Sequence, residues 1–239
     1  MRTLVNTLAT GAMLMVAAVA QAGNVGISAG DYYSPTLAKT LTARGNSVNA
    51  VSWYNDNVLS TYDVYIQDGS SFADAAALDR FVYNGGTLIQ LPWSFSTIAY
   101  SADTTVFGRR RKGTMEQLNP GIEVVAADDW LLAGVALPEA GSQTIGREIG
   151  NKFAAGVTPV LKWEDGTALL GYRHYGAGLV VGFDVHLVTV DASPLNADWS
   201  NAIIGNAVGP VPEPATWGML AVGAAVLLLR RRRPEQIIR

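Results

Sequence analysis

The side chains of this chain that could do chemistry are few. There are two histidines, His174 and His186, and no cysteine. The missing thiol excludes a cysteine nucleophile and thiolate-held metals. Ser94 follows the apolar run TLIQLPW, and Asp184 and His186 stand two apart in GLVVGFDVH. In a strand that spacing puts both side chains on one face. A serine hydroxyl, an imidazole and a carboxylate are the parts of a hydrolytic triad, but PWSFS lacks the Gly-x-Ser-x-Gly elbow that would strain the serine into an exposed position. Asp184 and His186 could reach one ion, yet a metal site needs three or four convergent ligands. The plainer reading of both is a hydrogen-bonded structural role, and no metal and no cofactor is expected. Asp31, Asp68 and Trp93 complete the candidates, each placed just beyond an apolar run. The glycines of GISAGDYYSP have neither phosphate-loop nor dinucleotide spacing.

These residues need a scaffold that brings strand ends together. NVGIS (24–28), SVNAVSW (47–53), YDVYIQDG (62–69) and TLIQLPW (87–93) read as strands, separated by helical patterns over 35–43 and 73–83. Ala77, Leu78, Phe81 and Val82 form the apolar face of the second helix, and Gly85-Gly86 stops it. Strands alternating with helices argue for βαβ units and a parallel sheet, whose strand C-termini form the usual binding crevice. IEVVAA, PVLKW and TALLGYRHYGAGLVVGFDV then suggest an antiparallel extension, with Tyr175–Gly178 at a hairpin turn. Asp198 is positioned to cap a last helix through Ile203 and Ile204. Residues 94–120, with Arg109–Lys112, read as an exposed, solvated loop. Trp53, Trp93, Trp130 and Trp163 with Tyr32, Tyr33 and Tyr54 are core and rim aromatics on the plain reading, and a sugar-stacking surface on the sharper one. The fold class expected is α/β, flavodoxin-like, with a mostly parallel sheet, helices on both faces and an antiparallel extension.

Hydrophobic residues make up 49% of the chain and charged residues only 15%, and two apolar segments at the ends account for much of that balance. Of 17 basic residues six lie in the end segments, and of 20 acidic residues two. What remains is 11 basic against 18 acidic, a formal −7, which argues against a nucleic-acid partner. At the N-terminus, Arg2 precedes an apolar stretch from Leu8 to Val19 and the small-x-small sequence Ala20-Gln21-Ala22. This is the layout of a secretory signal over residues 1–22, cleaved after Ala22, with an uncleaved anchor or a core helix as the alternatives. Its partners would be the export translocon and signal peptidase. At the other end, Ala215–Leu229 is uncharged for 15 residues. As a helix it measures roughly 22 Å at about 1.5 Å per residue, short of the hydrocarbon core of about 30 Å. Arg230, Arg231, Arg232 and Arg233 could snorkel to the inner interface and hold the preceding chain outside. Pro212 and Pro214 keep the segment before it extended.

Pro212-Glu213-Pro214, the short apolar helix 215–229 and Arg230–Arg233 together resemble the PEP-CTERM sorting signal of Gram-negative bacteria; an ordinary C-terminal anchor behind a Pro-rich linker is the alternative. The resemblance implies an exosortase that recognises Pro-Glu-Pro and removes the tail. It implies export through a transient inner-membrane anchor to the surface or matrix, with exopolysaccharide or biofilm material as the setting and polysaccharide as a candidate partner. The chain then divides into a signal (1–22), a body (23–206), a linker with the motif (207–214), a membrane helix (215–229) and a basic cytoplasmic tail (230–239).

The body, through YDVYIQDG, FVYNGGTLIQL, GAGLVVGFDVH and DWSNAIIGNAV, resembles the class I glutamine amidotransferase-like fold, in particular its trehalose-utilisation-like branch. That family's nucleophile is a cysteine on the turn after the strand equivalent to 87–91. Here the turn is Pro92-Trp93-Ser94, so the resemblance implies the fold without amidotransfer. His186 falls near a histidine frequent in the family. A non-enzymatic body is the first expectation. A periplasmic or surface hydrolase, or a carbohydrate-binding protein, using the crevice around His186 is the second.

Overall fold

A computed structural model describes residues 23–29, 34–68, 74–108, 115–117, 119–142, 145–186 and 194–209. They lie in a unit that closes at Gly209. The signal segment 1–22, Asp31, Tyr32, Tyr33, Arg109–Lys112 and the whole tail from Pro210 lie outside the described residues. Among the described residues no helix is long and apolar enough to cross a membrane; the span expected over 215–229 lies outside them.

The first half is a run of βαβ units. Strand β1 (Asn24–Ser28) leads to helix α1 (Pro35–Ala43), strand β2 (Ser47–Val51), a single helical turn α2 (Asp56–Leu59) and strand β3 (Val64–Gln67). Helix α3 (Ala75–Tyr83), strand β4 (Thr87–Gln90) and helix α4 (Pro92–Thr97) follow. Helix starts are set by side chains that satisfy the first free N–H groups. Ser34 accepts from Leu37 N–H at 3.1 Å, Asn55 from Val58 at 3.0 Å, and Asp74 from Ala76 and Ala77 at 3.1 and 3.2 Å. Pro35 and Pro92 open their helices where no N–H is missed. The four-residue α2 has too short an apolar pattern to stand out in the sequence.

The second half is built from strands β5 (Met115–Gln117), β6 (Ile122–Val124), β7 (Gly146–Glu148), β8 (Thr158–Trp163), β9 (Ala168–Tyr175) and β10 (Gly178–Phe183), then helix α5 (Pro194–Val208). The main sheet has eight strands in the order β2-β1-β3-β4-β10-β9-β8-β6. The first five are parallel, and β9, β8 and β6 extend the sheet by antiparallel pairing. β5 and β7 pair separately as an antiparallel ribbon. The fold is α/β with a mostly parallel, mixed sheet.

The central strands are buried on both sides, as a sheet covered on both faces requires. Tyr65, Leu88 and Val180 are cross-strand neighbours and meet Leu59, Leu78, Phe81, Val106 and Phe107 in one core cluster. Ile66, Ile89 and Val181 alternate with them, point to the opposite face and are buried too. The hairpin between β9 and β10 turns at Gly176-Ala177, as expected. Gly176 takes φ 59°, and a Cβ there would lie 2.4 Å from the Tyr83 carbonyl oxygen. The turn therefore docks on the end of α3, where Ala177 N–H donates to that carbonyl at 3.0 Å. Gly182 and Gly171 face each other across β10 and β9. A Cβ on Gly182 would meet Phe107 and Val106 at 2.6 Å, and one on Gly171 would meet Phe153 at 2.7 Å. The trough they leave is filled by Phe107 and Phe153, stacked at 5.8 Å.

Three expectations are corrected. Residues 94–120 are not one exposed loop: α4 occupies 92–97, Ile98, Thr104, Val106 and Phe107 are buried, and 115–117 form β5. The apolar character of Ile98, Val106 and Phe107 drives that packing. Asp198 does not cap α5, which begins four residues earlier at Pro194 and leaves Asp198 exposed on its surface. The strand read through Trp93 ends at Gln90, because Pro92 cannot donate to a ladder and starts α4 instead.

Candidate functional site

The C-terminal ends of β1, β3, β4 and β10 lie side by side, and most of the candidate residues gather there. Each is carried by the first few residues after a strand. Asp68 follows β3, Trp93 and Ser94 sit in the first turn of α4 after β4, and Asp184 and His186 follow β10. Asp68, Ser94, Asp184 and His186 are all buried, Trp93 is half-buried, and Asp31 is outside the described residues.

Over β10 the chain forms a layered polar cluster. The ribbon strand β7 runs along the segment after β10. His186 N–H donates to the Gly146 carbonyl at 2.8 Å, and Glu148 N–H donates to Asp184 Oδ1 at 2.9 Å. The buried His186 ring meets Trp93 edge-on at 5.2 Å, and its Nε2 lies 3.8 Å from Glu148 Oε1. That separation is ion-pair range for an imidazolium and longer than a hydrogen bond. Arg147, only 2% exposed, reaches the other way. Its guanidinium lies 5.2 Å over the Trp163 ring and pairs with Asp165 at 2.7 Å. Burial pushes the Asp184 carboxyl well above the usual carboxylate range, a shift the Glu148 N–H, Trp163 and Arg147 oppose without reversing. Burial also pushes Asp165 up, but the bonds from Arg147 and Thr167 outweigh it and hold Asp165 low.

Over β1, β3 and β4 the arrangement is different. Ser28 and Asp68 are locked together: Ser28 Oγ donates to the Asp68 carbonyl at 2.5 Å, and Asp68 N–H donates to Ser28 Oγ at 2.8 Å. The Ser94 hydroxyl donates to the Leu91 carbonyl at 2.7 Å, the backbone-directed bond of a helix first turn. Gln90 bridges to the 104–106 segment through the Thr104 carbonyl at 2.7 Å and Val106 N–H at 3.3 Å. The Asp68 side chain is pushed up to about 8 by burial.

Arg147, Glu148, Asp165, Tyr65 and Tyr100 were not among the candidates read from sequence. Arg147-Glu148 lies in a three-residue strand with no apolar period, so only the ribbon pairing brings it to the site. The aromatic set does not form one surface. Trp53 is 60% exposed, Tyr54 and Trp163 are buried, and Trp130 packs against Tyr172 at 6.1 Å. Among the described residues no group of three His, Cys, Asp or Glu side chains is placed to hold a metal.

The opposite end of the same strands carries an open groove of about 460 Å³, lined by Asp56, Tyr62, Asp63, Arg80, Phe81 and Asn84 among others. Arg80 clamps Asp56 there through Nε and Nη2, both at 2.9 Å, with both side chains exposed.

Residues 210–233 match the PEP-CTERM protein-sorting motif, which implies export and surface sorting by an exosortase. No curated protein matches the chain. Solved structures similar to it include a cytoplasmic protein from Salmonella typhimurium LT2, 14% identical, covering 77% of this chain and 97% of that one at a TM-score of 0.59. They also include a ThuA-like protein from Bacteroides uniformis ATCC 8492, 10% identical over 79% of this chain and 91% of that one, at 0.49. A glutamine amidotransferase from Thermotoga maritima is 9% identical over 77% and 97%, also at 0.49. These likenesses concern the fold and not an activity.

Proposed function

We propose that this chain is an exported cell-envelope protein, processed by an exosortase through its C-terminal tail, with a body that serves without catalysis. The sorting motif at 210–233 carries the reading. In it, residues 1–22 are a cleaved signal and 215–229 span the inner membrane transiently. Arg230–Arg233 stay on the cytoplasmic side, and Pro212-Glu213-Pro214 stands outside as the recognised segment. The mature body is then released to the surface, where polysaccharide is the candidate partner. The absence of cysteine and the commitment of the Ser94 hydroxyl to the Leu91 carbonyl support a non-catalytic body. A hydrolase using His186 is the second reading, favoured by the gathering of Asp184, Glu148 and His186 at one strand end.

Intact-mass measurement of the protein from cells with and without the sorting protease tests the processing. The tail is expected to be lost only where the protease is present, and Glu213→Ala is expected to retain it while the body stays folded. A full-length tail in both strains, or normal maturation of Glu213→Ala, overturns the reading.

A further inference from the structure

We propose that the open groove at the N-terminal ends of β1, β3 and β4 binds an uncharged saccharide chain. The proposal rests on the reading that polysaccharide is the partner of the mature body, and it names the site. The groove measures about 460 Å³, within the range of about 300–1,000 Å³ usual for small-molecule sites. It lies between the segment that joins α2 to β3 and the last turn of α3. Its apolar lining comes from Leu59 and Phe81 of the core cluster and from Tyr62, which packs against that cluster. The two glycines that follow α3 keep this lining bare. Gly85 takes φ 110°, and a Cβ on Gly86 would lie 2.4 Å from the Phe81 ring. Neither position carries a side chain that would fill the groove.

Polar groups line the same space, and the protein holds them in place. Arg80 grips Asp56 through Nε and Nη2, both at 2.9 Å, and its Nη2 lies 3.8 Å from Asp74. That two-point grip fixes the guanidinium plane and does not engage Nη1. Asp63 uses one oxygen, Oδ2, to accept from the Asn24 N–H at 2.8 Å. The exposed Asn84 side chain at the end of α3 offers donors and an acceptor together. Donors and acceptors thus stand side by side around an apolar floor. A sugar matches that pattern: each hydroxyl both donates and accepts, and the C–H face of the ring lies against aromatic carbon.

Charge sorts the remaining classes of ligand. Asp56, Asp63 and Asp74 outnumber Arg80, which disfavours an anion. The three carboxylates are exposed, and each already meets Arg80 or the Asn24 N–H. A cation therefore gains little from them in water. Affinity has to come from the apolar floor and from several uncharged hydrogen bonds, and an uncharged polyhydroxy chain supplies both.

The experiment titrates cellohexaose, maltohexaose and mannohexaose into the full chain by calorimetry, in a detergent without a sugar head group. Hexagalacturonate and hexaglucosamine serve as anionic and cationic chains of equal length. Saturable binding of at least one uncharged chain is expected, unchanged between about 0.05 and 0.5 M NaCl. Both charged chains should bind about tenfold more weakly or not at all. Arg80→Ala is expected to weaken binding about tenfold and Asn84→Ala several-fold. Trp53→Ala, just beyond the C-terminal end of β2 and 60% exposed, should leave it unchanged. An unaltered Tm in each variant separates loss of binding from loss of fold. Tighter binding of hexaglucosamine, loss of binding in salt, or undiminished binding by Arg80→Ala overturns the groove assignment and leaves the polysaccharide reading standing. Binding of none of the chains overturns both, while the processing of the tail is read separately from its mass.

Discussion

The two ends of the parallel strands treat charge in opposite ways. At the N-terminal ends the chain arrives from α1 and α3 through short turns, and the ionic groups stay in water: Arg80 and Asp56 are 53% and 57% exposed on their side chains. At the C-terminal ends the chain leaves each strand straight into a helix start or under the β5–β7 ribbon. Asp68, Ser94, Asp184, His186 and Arg147 are thereby folded inside. An exposed ion pair gains little, because water screens it as well as the partner does. A buried polar group matters for what happens when its partner is removed. The open groove is thus the energetically quiet end, and the closed end is where the buried polar groups that bear on stability are concentrated.

Substitutions at three sites test that contrast, and the largest loss is expected at Asp184. Asp184→Ala removes the acceptor of the buried Glu148 N–H and should lower stability by about 3 kcal/mol, or roughly 6–12 °C in Tm for a chain of this size. Asp184→Asn keeps an acceptor oxygen and should recover most of the loss in denaturant unfolding. Equal losses for the two would mean that the bond from the Glu148 N–H contributes nothing.

A pH-dependent gain is expected at Asp68. Its folded-state carboxyl titrates near 8, raised by burial above the ordinary value of 3.8. Between those values the folded protein holds a proton that the unfolded chain has released, so stability is fullest below about pH 4 and declines as pH rises toward 8. Asp68→Asn should therefore match the parent at pH 4 and gain on it in Tm steadily as pH rises to 8. A gap between parent and variant that does not widen over that window would contradict the assignment. The smallest effect belongs to the open end. Arg80→Ala should leave the unfolding midpoint within the scatter of replicate melts, and a loss comparable with Asp184→Ala would dissolve the contrast.

Much of the parallel half was legible in the sequence, because its signals are local. Ser34-Pro35 marks the start of α1, the apolar face Ala77, Leu78, Phe81 and Val82 marks α3, and Gly176-Ala177 marks the hairpin. The sorting motif was legible for the same reason, being defined by neighbours in sequence. Asp68, Asp184, His186, Trp93 and Ser94 could be placed at strand ends from periodicity alone. Their partners could not. Glu148 reaches Asp184 only through pairing of two three-residue strands, Met115–Gln117 and Gly146–Glu148, and so short a ladder has no alternation to detect. Asp198 misled because a capping residue type also sits comfortably on an exposed helix face, while Pro194 set the true start. Tyr65 and Tyr100 were hidden by their own ring hydrophobicity, which makes a tyrosine that carries a buried hydroxyl look like any core residue.

The glycine pair at positions 171 and 182 has an evolutionary consequence. Two adjacent strands surrender their side chains at one level so that a phenylalanine from each of two distant loops can lie flat in the gap. Neither glycine can drift alone, and neither ring can shrink without opening a hole above bare backbone. Related sequences should therefore show these four sites changing as a block, either all retained or all replaced.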